Sequence, residues 1–263
     1  MSHDVEVRLE RHDSMLREKV FQVESKWPNF RLMLEDIAAL ASEMPDGASV
    51  VTFERGLLYG GYSLIGPYFH RQSLISIDCS PESADDRGDY NAGMVDDDRF
   101  WPVPVTRRAR IVETGLADGQ ADLILVPNLV HHVADQEQLF LEMARVLKTG
   151  GRVYIYEPLV RELHQAPDDF IRYTPFGMAR MLEKNGLSVL QSKEDGAAFS
   201  AIAYCWTQAL EYFPEAKRKE MSDWFYNEHF PQLMAWDEEH PENQCREHTR
   251  FPMAFSLLAE KTA

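Results

Sequence analysis

Hydrophobic positions along the chain follow two rhythms that replace one another at regular intervals. In NFRLMLEDIAALASEM, residues 29–44, Phe30, Leu32, Met33, Ile37 and Leu40 recur at helical spacing, and the PDG that follows stops the helix. Short unbroken apolar runs then appear: SVVTF at 49–53, SLISID at 73–78, ADLILVPN at 121–128 and GRVYIYEP at 151–158. They are rich in β-branched and aromatic residues and apolar on both faces, which predicts strands covered on both sides, as parallel strands are. Between the last two, DQEQLFLEMARVLKTGG reads as an amphipathic helix with Asp135 as N-cap and Gly150 as its stop. A second helix, TPFGMARMLEKNG, has Thr174 as N-cap, Pro175 at its first position and Gly186 as its stop, and the strand LSVLQSKE comes next.

Strand, helix and strand in alternation predict a doubly wound parallel sheet with right-handed crossovers. From Ala197 to about Arg250 the pattern changes to aromatic and Met-rich helical stretches, AIAYCWTQALEYF and AKRKEMSDWFYNEHF, and a strand rhythm returns only in FPMAFSLLAEK. The expected division is an N-terminal helical segment (1–46), an α/β domain (47–196 with 251–263) and a helical insertion or lid (197–250).

Composition narrows the function classes. The 263 residues suffice for one large α/β domain, and the 44% hydrophobic content supports a core without any run of about 18 apolar residues. No membrane span is expected. The opening MSHDVEVRLERHDSMLREK is charged throughout and lacks a secretory apolar stretch, so a cytoplasmic protein is expected. A net charge of −16 disfavours nucleic acid as a partner, and the dense basic run RRAR at 107–110 reads as a solvated strand edge. Cys79, Cys205 and Cys245 are widely spaced and imply no disulfide framework. His240, Cys245 and His248 match no zinc spacing, so no metal is expected from them.

Strands ending in Glu54, Asp78 and Asn128, the LVHHV after the fourth, and EMARVLKTGGRVYIYEP together resemble the class I S-adenosylmethionine-dependent methyltransferases. The resemblance covers about residues 47–195 and the terminal strand. It implies a Rossmann-like, mostly parallel seven-stranded sheet with helices on both faces, to which the composition adds the helical insertion before the last strand, and S-adenosylmethionine as cofactor. In that family an acidic residue ending the second strand holds the ribose hydroxyls, here Asp78. A carboxylate at that end of a parallel strand, beside the reversal of strand order, is well placed for a diol; the competing reading is a cap on the helix after CSPES. The first loop of the family runs acid-x-Gly-x-Gly. Glu54 as the acid keeps Gly56 but puts Leu58 at the second glycine, whereas a shift of two puts Glu54 on a glycine. Gly60 and Gly61 then offer the close backbone approach in a lengthened loop. The resemblance also places Glu113 near the adenine, with a plain loop carboxylate as the alternative, and Asn128 and Leu129 at the methionine end.

A further stretch, ELHQAPDDFIRYTPFGMARMLEKNGLSVL, is similar to the segment after the fifth strand in methyltransferases of surface-polysaccharide and sugar biosynthesis. It implies a small or carbohydrate-type acceptor. Methyl transfer to a hydroxyl needs alignment and a base. His131 and His132 follow strand four, and His164 follows strand five beside Asp168 and Asp169. Imidazole suits the task, and His164 is the first choice. Asp168, Arg172 and Tyr173 are candidates to orient a sugar or carboxylate, although Arg172 also reads as an exposed helix-entry residue. The aromatic side chains of the insertion serve as lid core, acceptor roof or homodimer face. The competing function is a catalytically inactive methyltransferase-like protein that binds a partner or metabolite. A nicotinamide-dependent reductase is disfavoured because no G-x-G-x-x-G follows the first strand.

Overall fold

The computed structural model describes residues 3–20, 30–80, 95–239 and 251–262. Its strands are β1 (Ser49–Glu54), β2 (Tyr62–Ser63), β3 (Ser73–Asp78), β4 (Val103–Pro104), β5 (Arg107–Arg108), β6 (Ala121–Pro127), β7 (Leu147–Pro158), β8 (Leu187–Asp195) and β9 (Ala254–Lys261). Its α-helices are α1 (His3–Met15), α2 (Phe30–Glu43), α3 (Gln136–Val146), α4 (Pro175–Lys184), α5 (Ala198–Ala209), α6 (Glu215–Trp224) and α7 (Phe230–Glu239). Seven strands form the main sheet in the order β5-β3-β1-β6-β7-β9-β8. All run parallel except β9, which is antiparallel to both β7 and β8. The order reverses at β1, which pairs with β3 on one side and β6 on the other, and open sheets of this kind bind ligands beyond the strand ends at such a point.

Both faces are covered, as the double-sided apolar runs require. Val51 and Phe53 pack on the side of Phe140, Met143, Met178 and Leu182 from α3 and α4. Val50 packs on the opposite side with Met33, Leu34 and Ile37 of α2 and Met15 of α1. Each such side chain contributes about 1.5–3 kcal/mol by leaving water. A buried polar contact ties α2 to the sheet: Asp36 accepts hydrogen bonds from Tyr154 Oη at 3.0 Å and Ser256 Oγ at 2.9 Å.

The helix caps at Asp135 and Thr174 form as the sequence predicts, each side chain accepting a backbone N–H. Gly150 departs from its expected role. The helix ends at Val146, and Leu147 already pairs with Ala121, so residues 147–150 belong to an irregular start of β7. Gly150 takes φ +76° there, and a Cβ on Gly151 would lie 2.9 Å from the Ala121 carbonyl oxygen. Sheet pairing, rather than helix termination, uses these glycines.

The insertion is a helical hairpin. The amides of Phe199 and Ser200 at the start of α5 donate to Asp237 of α7 at 3.1 and 2.6 Å. Trp206 packs against Trp224 and Phe225, with ring centroids 5.4 and 5.7 Å apart, so much of the aromatic content is the hairpin's own core. Tyr212 is 91% exposed. His240, Cys245 and His248 lie outside the described residues. Among the described residues no helix is long and apolar enough to cross a membrane.

One buried carboxylate holds the loop that flanks the strand ends. Glu142 of α3 accepts from Thr114 N at 2.8 Å and Thr114 Oγ1 at 2.6 Å, and Arg145 Nη2 donates to it at 2.7 Å. Burial pushes this carboxyl group up, but the Arg145 and Thr114 hydrogen bonds outweigh that and bring it down to about 2. The stabilisation is therefore present above the unfolded-state value of about 4.3 and is lost as pH falls toward about 2. Glu142→Gln should lower the unfolding free energy at pH 7 by about 1–3 kcal/mol and flatten its decline on acidification, as measured by urea denaturation across that range.

Candidate active site

Beyond the carboxyl ends of β1, β3 and β6 lies a cleft of about 890 Å³. Arg55 follows β1 into it, Cys79 and Ser80 follow β3, and Leu129 follows β6. Ile111 and Val112 make an apolar wall on one side, and His132, Asp168 and Phe170 contribute from the other. Arg108 and Arg110 also line it, so the basic run at 107–110 is more than a solvated edge. In a chain of net charge −16, Arg55, Arg108 and Arg110 bring positive charge to this opening.

The first loop is built differently from its sequence expectation. Glu54 is 6% exposed and turned back into the protein, where it accepts from Thr52 Oγ1 at 2.9 Å, Leu64 N at 2.8 Å and Ser63 Oγ. Burial pushes its pKa up. It braces the segment behind the loop and does not line the cleft. Gly56 answers a steric demand: a Cβ there would meet Val105 Cγ1 at 2.6 Å and Asp78 Cγ at 3.5 Å. Gly60 and Gly61, with φ of +65° and +87°, reverse the chain from a short 3-10 turn into β2, and Gly61 N donates to Gly56 O at 2.8 Å. These two serve the turn and are not among the cleft residues.

Asp78 ends β3 in register with Glu54 and is 2% exposed. Its Oδ1 accepts from Ser80 N at 2.9 Å and Ser80 Oγ at 2.6 Å, and the helix it was alternatively expected to cap lies outside the described residues. Among the described residues Oδ2 has no hydrogen-bond partner. Glu113 sits exposed on the bend where its N–H donates to Arg110 O at 3.0 Å, and the neighbouring Ile111 and Val112 face the cleft in its place. Asn128 has a left-handed backbone, φ +55°, and donates its N–H to Tyr156 O at 2.7 Å. Its side-chain Oδ1 is buried without a partner. A non-glycine residue in that conformation with an orphaned acceptor is the kind of local strain found at functional sites.

The chain then winds through a short turn, Val130–His132, around one carboxylate. Glu157 of β7, 2% exposed, accepts from Leu129 N at 2.7 Å, Val130 N at 2.6 Å, His131 N at 3.3 Å and His131 Nδ1 at 2.7 Å. His131 Nε2 thereby faces His164 Nε2 at 3.4 Å. His164 arrives on the loop after β7, its Nδ1 3.2 Å from Asp169 Oδ2 and 3.3 Å from Glu162 O. Asp169 is in turn held by Arg172, whose Nη2 donates at 2.8 Å, and also by His164 N at 2.9 Å. Despite burial, these donors keep Asp169 well below the usual carboxylate range. His132 bonds through Nδ1 to the Asp168 carbonyl, and its Nε2 lies 2.9 Å from Arg55 Nη1. Burial, with neighbouring positive groups, pushes His164 down to about 4 and His132 to about 2.

The structure thus brings His131, His132 and His164 together, with Asp168 beside them. Arg172 touches the cluster only through Asp169 and His164, so it positions the loop. Tyr173 packs edge-on against Phe140, ring centroids 6.3 Å apart, and joins the core rather than the histidines. Sequence reasoning missed Glu157 and Arg55. The first had a readable signal, a carboxylate inside an otherwise apolar strand run; Arg55, lying between Glu54 and Gly56, passed for a loop spacer.

A family model described as a methyltransferase domain matches residues 62–155, a range that begins just past the Gly60–Gly61 turn. No curated relative matches the chain. Among solved structures, a protein of Bacillus halodurans C-125 suggested to be a methyltransferase is 11% identical, with a TM-score of 0.51 over 88% of this chain and 99% of that one. The protein bound to the Trm112 methyltransferase activator of Haloferax volcanii is 14% identical, TM-score 0.51, over 100% and 99%. YcgJ of Bacillus subtilis is 16% identical, TM-score 0.50, over 89% and 99%. At these identities the likeness is one of fold. The seven-stranded architecture is the Rossmann-like fold of class I methyltransferases.

Glu157→Gln would remove a carboxylate shared by several donors and place an NH₂ group against them. Stability should fall by about 1.5–3 kcal/mol. In nitrogen-15 spectra the parent protein should show the Nδ1–H tautomer of His131 and the variant should lose that preference; an unchanged tautomer would mean that Glu157 does not set it.

Proposed function

We propose that this chain catalyses S-adenosylmethionine-dependent methyl transfer to an oxygen of a small or carbohydrate-type acceptor. The observation that carries the proposal is the buried, partnerless Oδ1 of Asn128 at a left-handed bend beside the cleft residue Leu129. Leaving such an acceptor unsatisfied costs about 1–3 kcal/mol, and the ammonium group of a methionine moiety is a donor that would relieve it. Among the described residues Asp78 Oδ2 has no partner and is offered here to a ribose hydroxyl, Ile111 and Val112 offer an apolar surface for a base, and Gly56 lets the backbone pass close to Asp78. The methyltransferase-domain match over residues 62–155 supports the same donor.

When bound, that donor supplies an electrophilic methyl group on a sulfonium. The residues of this chain have the remaining tasks: aligning the acceptor and taking its proton. His164 is the base in this proposal, with His131 behind it at 3.4 Å and Glu157 fixing the orientation of His131. His132, bonded to the Asp168 carbonyl, holds the cleft wall in place. Asp168 lines the cleft and is placed for an acceptor hydroxyl, whereas Arg172 and Tyr173 support the loop from behind.

One observation favours the second reading, an inactive binding protein: Glu54 and Asp78 Oδ1 are already engaged inside the fold. Calorimetry separates the two. Methyl transfer requires micromolar binding of S-adenosylmethionine or S-adenosylhomocysteine, weakened tenfold or more in Asp78→Ala and Asn128→Ala. His164→Ala should keep that affinity while turnover drops by about 10²–10⁴. Absence of binding by both compounds would sink the proposal and leave the binding protein.

A further inference from the structure

We propose that His131, His132 and His164 form a binding site for a divalent transition metal of the zinc type, with the Arg55 guanidinium covering the ring nitrogen of the third ligand, His132, until the metal displaces it. One nitrogen from each of the three rings can be chosen so that all lie within 4.8 Å of one another. The spacing of the first pair fits coordination. With metal–nitrogen bonds of about 2.0–2.1 Å, two ligands at a tetrahedral angle stand about 3.3 Å apart, and His131 Nε2 and His164 Nε2 are 3.4 Å apart.

The opposite side of each ring is oriented as metal-binding imidazoles are. His131 Nδ1 meets the Glu157 carboxylate at 2.7 Å, His164 Nδ1 lies 3.3 Å from the Glu162 carbonyl oxygen, and His132 Nδ1 meets the Asp168 carbonyl. An acceptor at Nδ1 fixes the tautomer that carries its lone pair on Nε2. In that state the His131 and His164 lone pairs point at one another, an arrangement that repels unless something positive lies between them. The third lone pair, on His132, already has a positive neighbour in Arg55 Nη1 at 2.9 Å. The guanidinium is thus a resident cation at the edge of a cluster of imidazole nitrogens.

Three histidines leave a coordination position open, the pattern of catalytic rather than structural zinc sites. The cluster borders the cleft through His132 and Asp168. With metal bound, His164 would serve as a ligand in place of its role as base, and a coordinated acceptor hydroxyl would lose its proton more readily there; that consequence rests on the methyl-transfer reading, whereas metal binding does not.

The test uses the full chain stripped of metal by a chelator, then titrated with Zn²⁺ by calorimetry and with Co²⁺ by visible absorption. Expected are one equivalent bound and the intense absorption of four-coordinate cobalt. His164→Ala and His132→Ala should each weaken binding a hundredfold or more, with far-ultraviolet circular dichroism unchanged. Arg55→Gln should tighten it tenfold or more by freeing His132 Nε2. Absence of stoichiometric binding, or equal affinity in His164→Ala, would overturn the site; unchanged affinity in Arg55→Gln would overturn the role given to Arg55. S-adenosylhomocysteine affinity of the metal-free protein, read in parallel, reports on the transfer reading separately.

Discussion

The Glu157 carboxylate is the constraint on which the rest of the site depends. It sits near the end of a buried strand, where an isolated negative charge would be costly. Three successive backbone amides and one imidazole, from Leu129 to His131, converge on it and offset that cost. The same bonds force the chain at the end of β6 into a tight turn. That turn follows directly on the left-handed Asn128 and delivers two consecutive histidines to the mouth of the sheet. A single buried acceptor therefore determines both where the backbone goes and how the first imidazole is oriented.

The third histidine comes from a different part of the chain and needs its own support. The loop after β7 is held from inside by Arg172 and Asp169, and from outside by the helical insertion, where Tyr204 of α5 donates its hydroxyl to Glu162. Val160 packs with Ala201, Tyr204 and Met253 in a small apolar cluster at the same junction. The insertion thus does more than cover the domain, because it braces the segment that carries His164. Its aromatic side chains largely pack on one another, which makes that brace a folded unit.

Charge is distributed against the average. The chain is strongly acidic, yet the cleft carries Arg55, Arg108 and Arg110. Arg108 donates to the Ser80 carbonyl at 3.2 Å and so links β5, the outermost strand, to the loop after Asp78. Low surrounding dielectric strengthens such local fields. Asp135 and Asp168 line the same opening, so its charges are mixed, with three arginines facing two carboxylates.

Period and punctuation in the sequence determined the architecture. Double-sided apolar runs could only be central strands, and Asp135, Thr174 and Pro175 marked helix starts through local chemistry that tertiary context did not change. The roles of Gly150, Glu54 and Gly60 were not legible, because each depends on tertiary context: the irregular start of β7, where Leu147 already pairs with Ala121, Ser63 and Leu64 behind the first loop, and the start of β2. For the site, the residue types were visible while their partners were not. His131 and His132 stood out as a pair, but their orientation comes from Glu157, 26 residues away from the first, and from the carbonyl of Asp168. Arg55 illustrates the limit most clearly, since its contact with His132 spans 77 positions and leaves no periodic trace. Local sequence encodes which faces turn inward, because burial repeats with the geometry of helix and strand. Convergence of distant side chains has no period, and only the closed sheet with its packed loops brings it about.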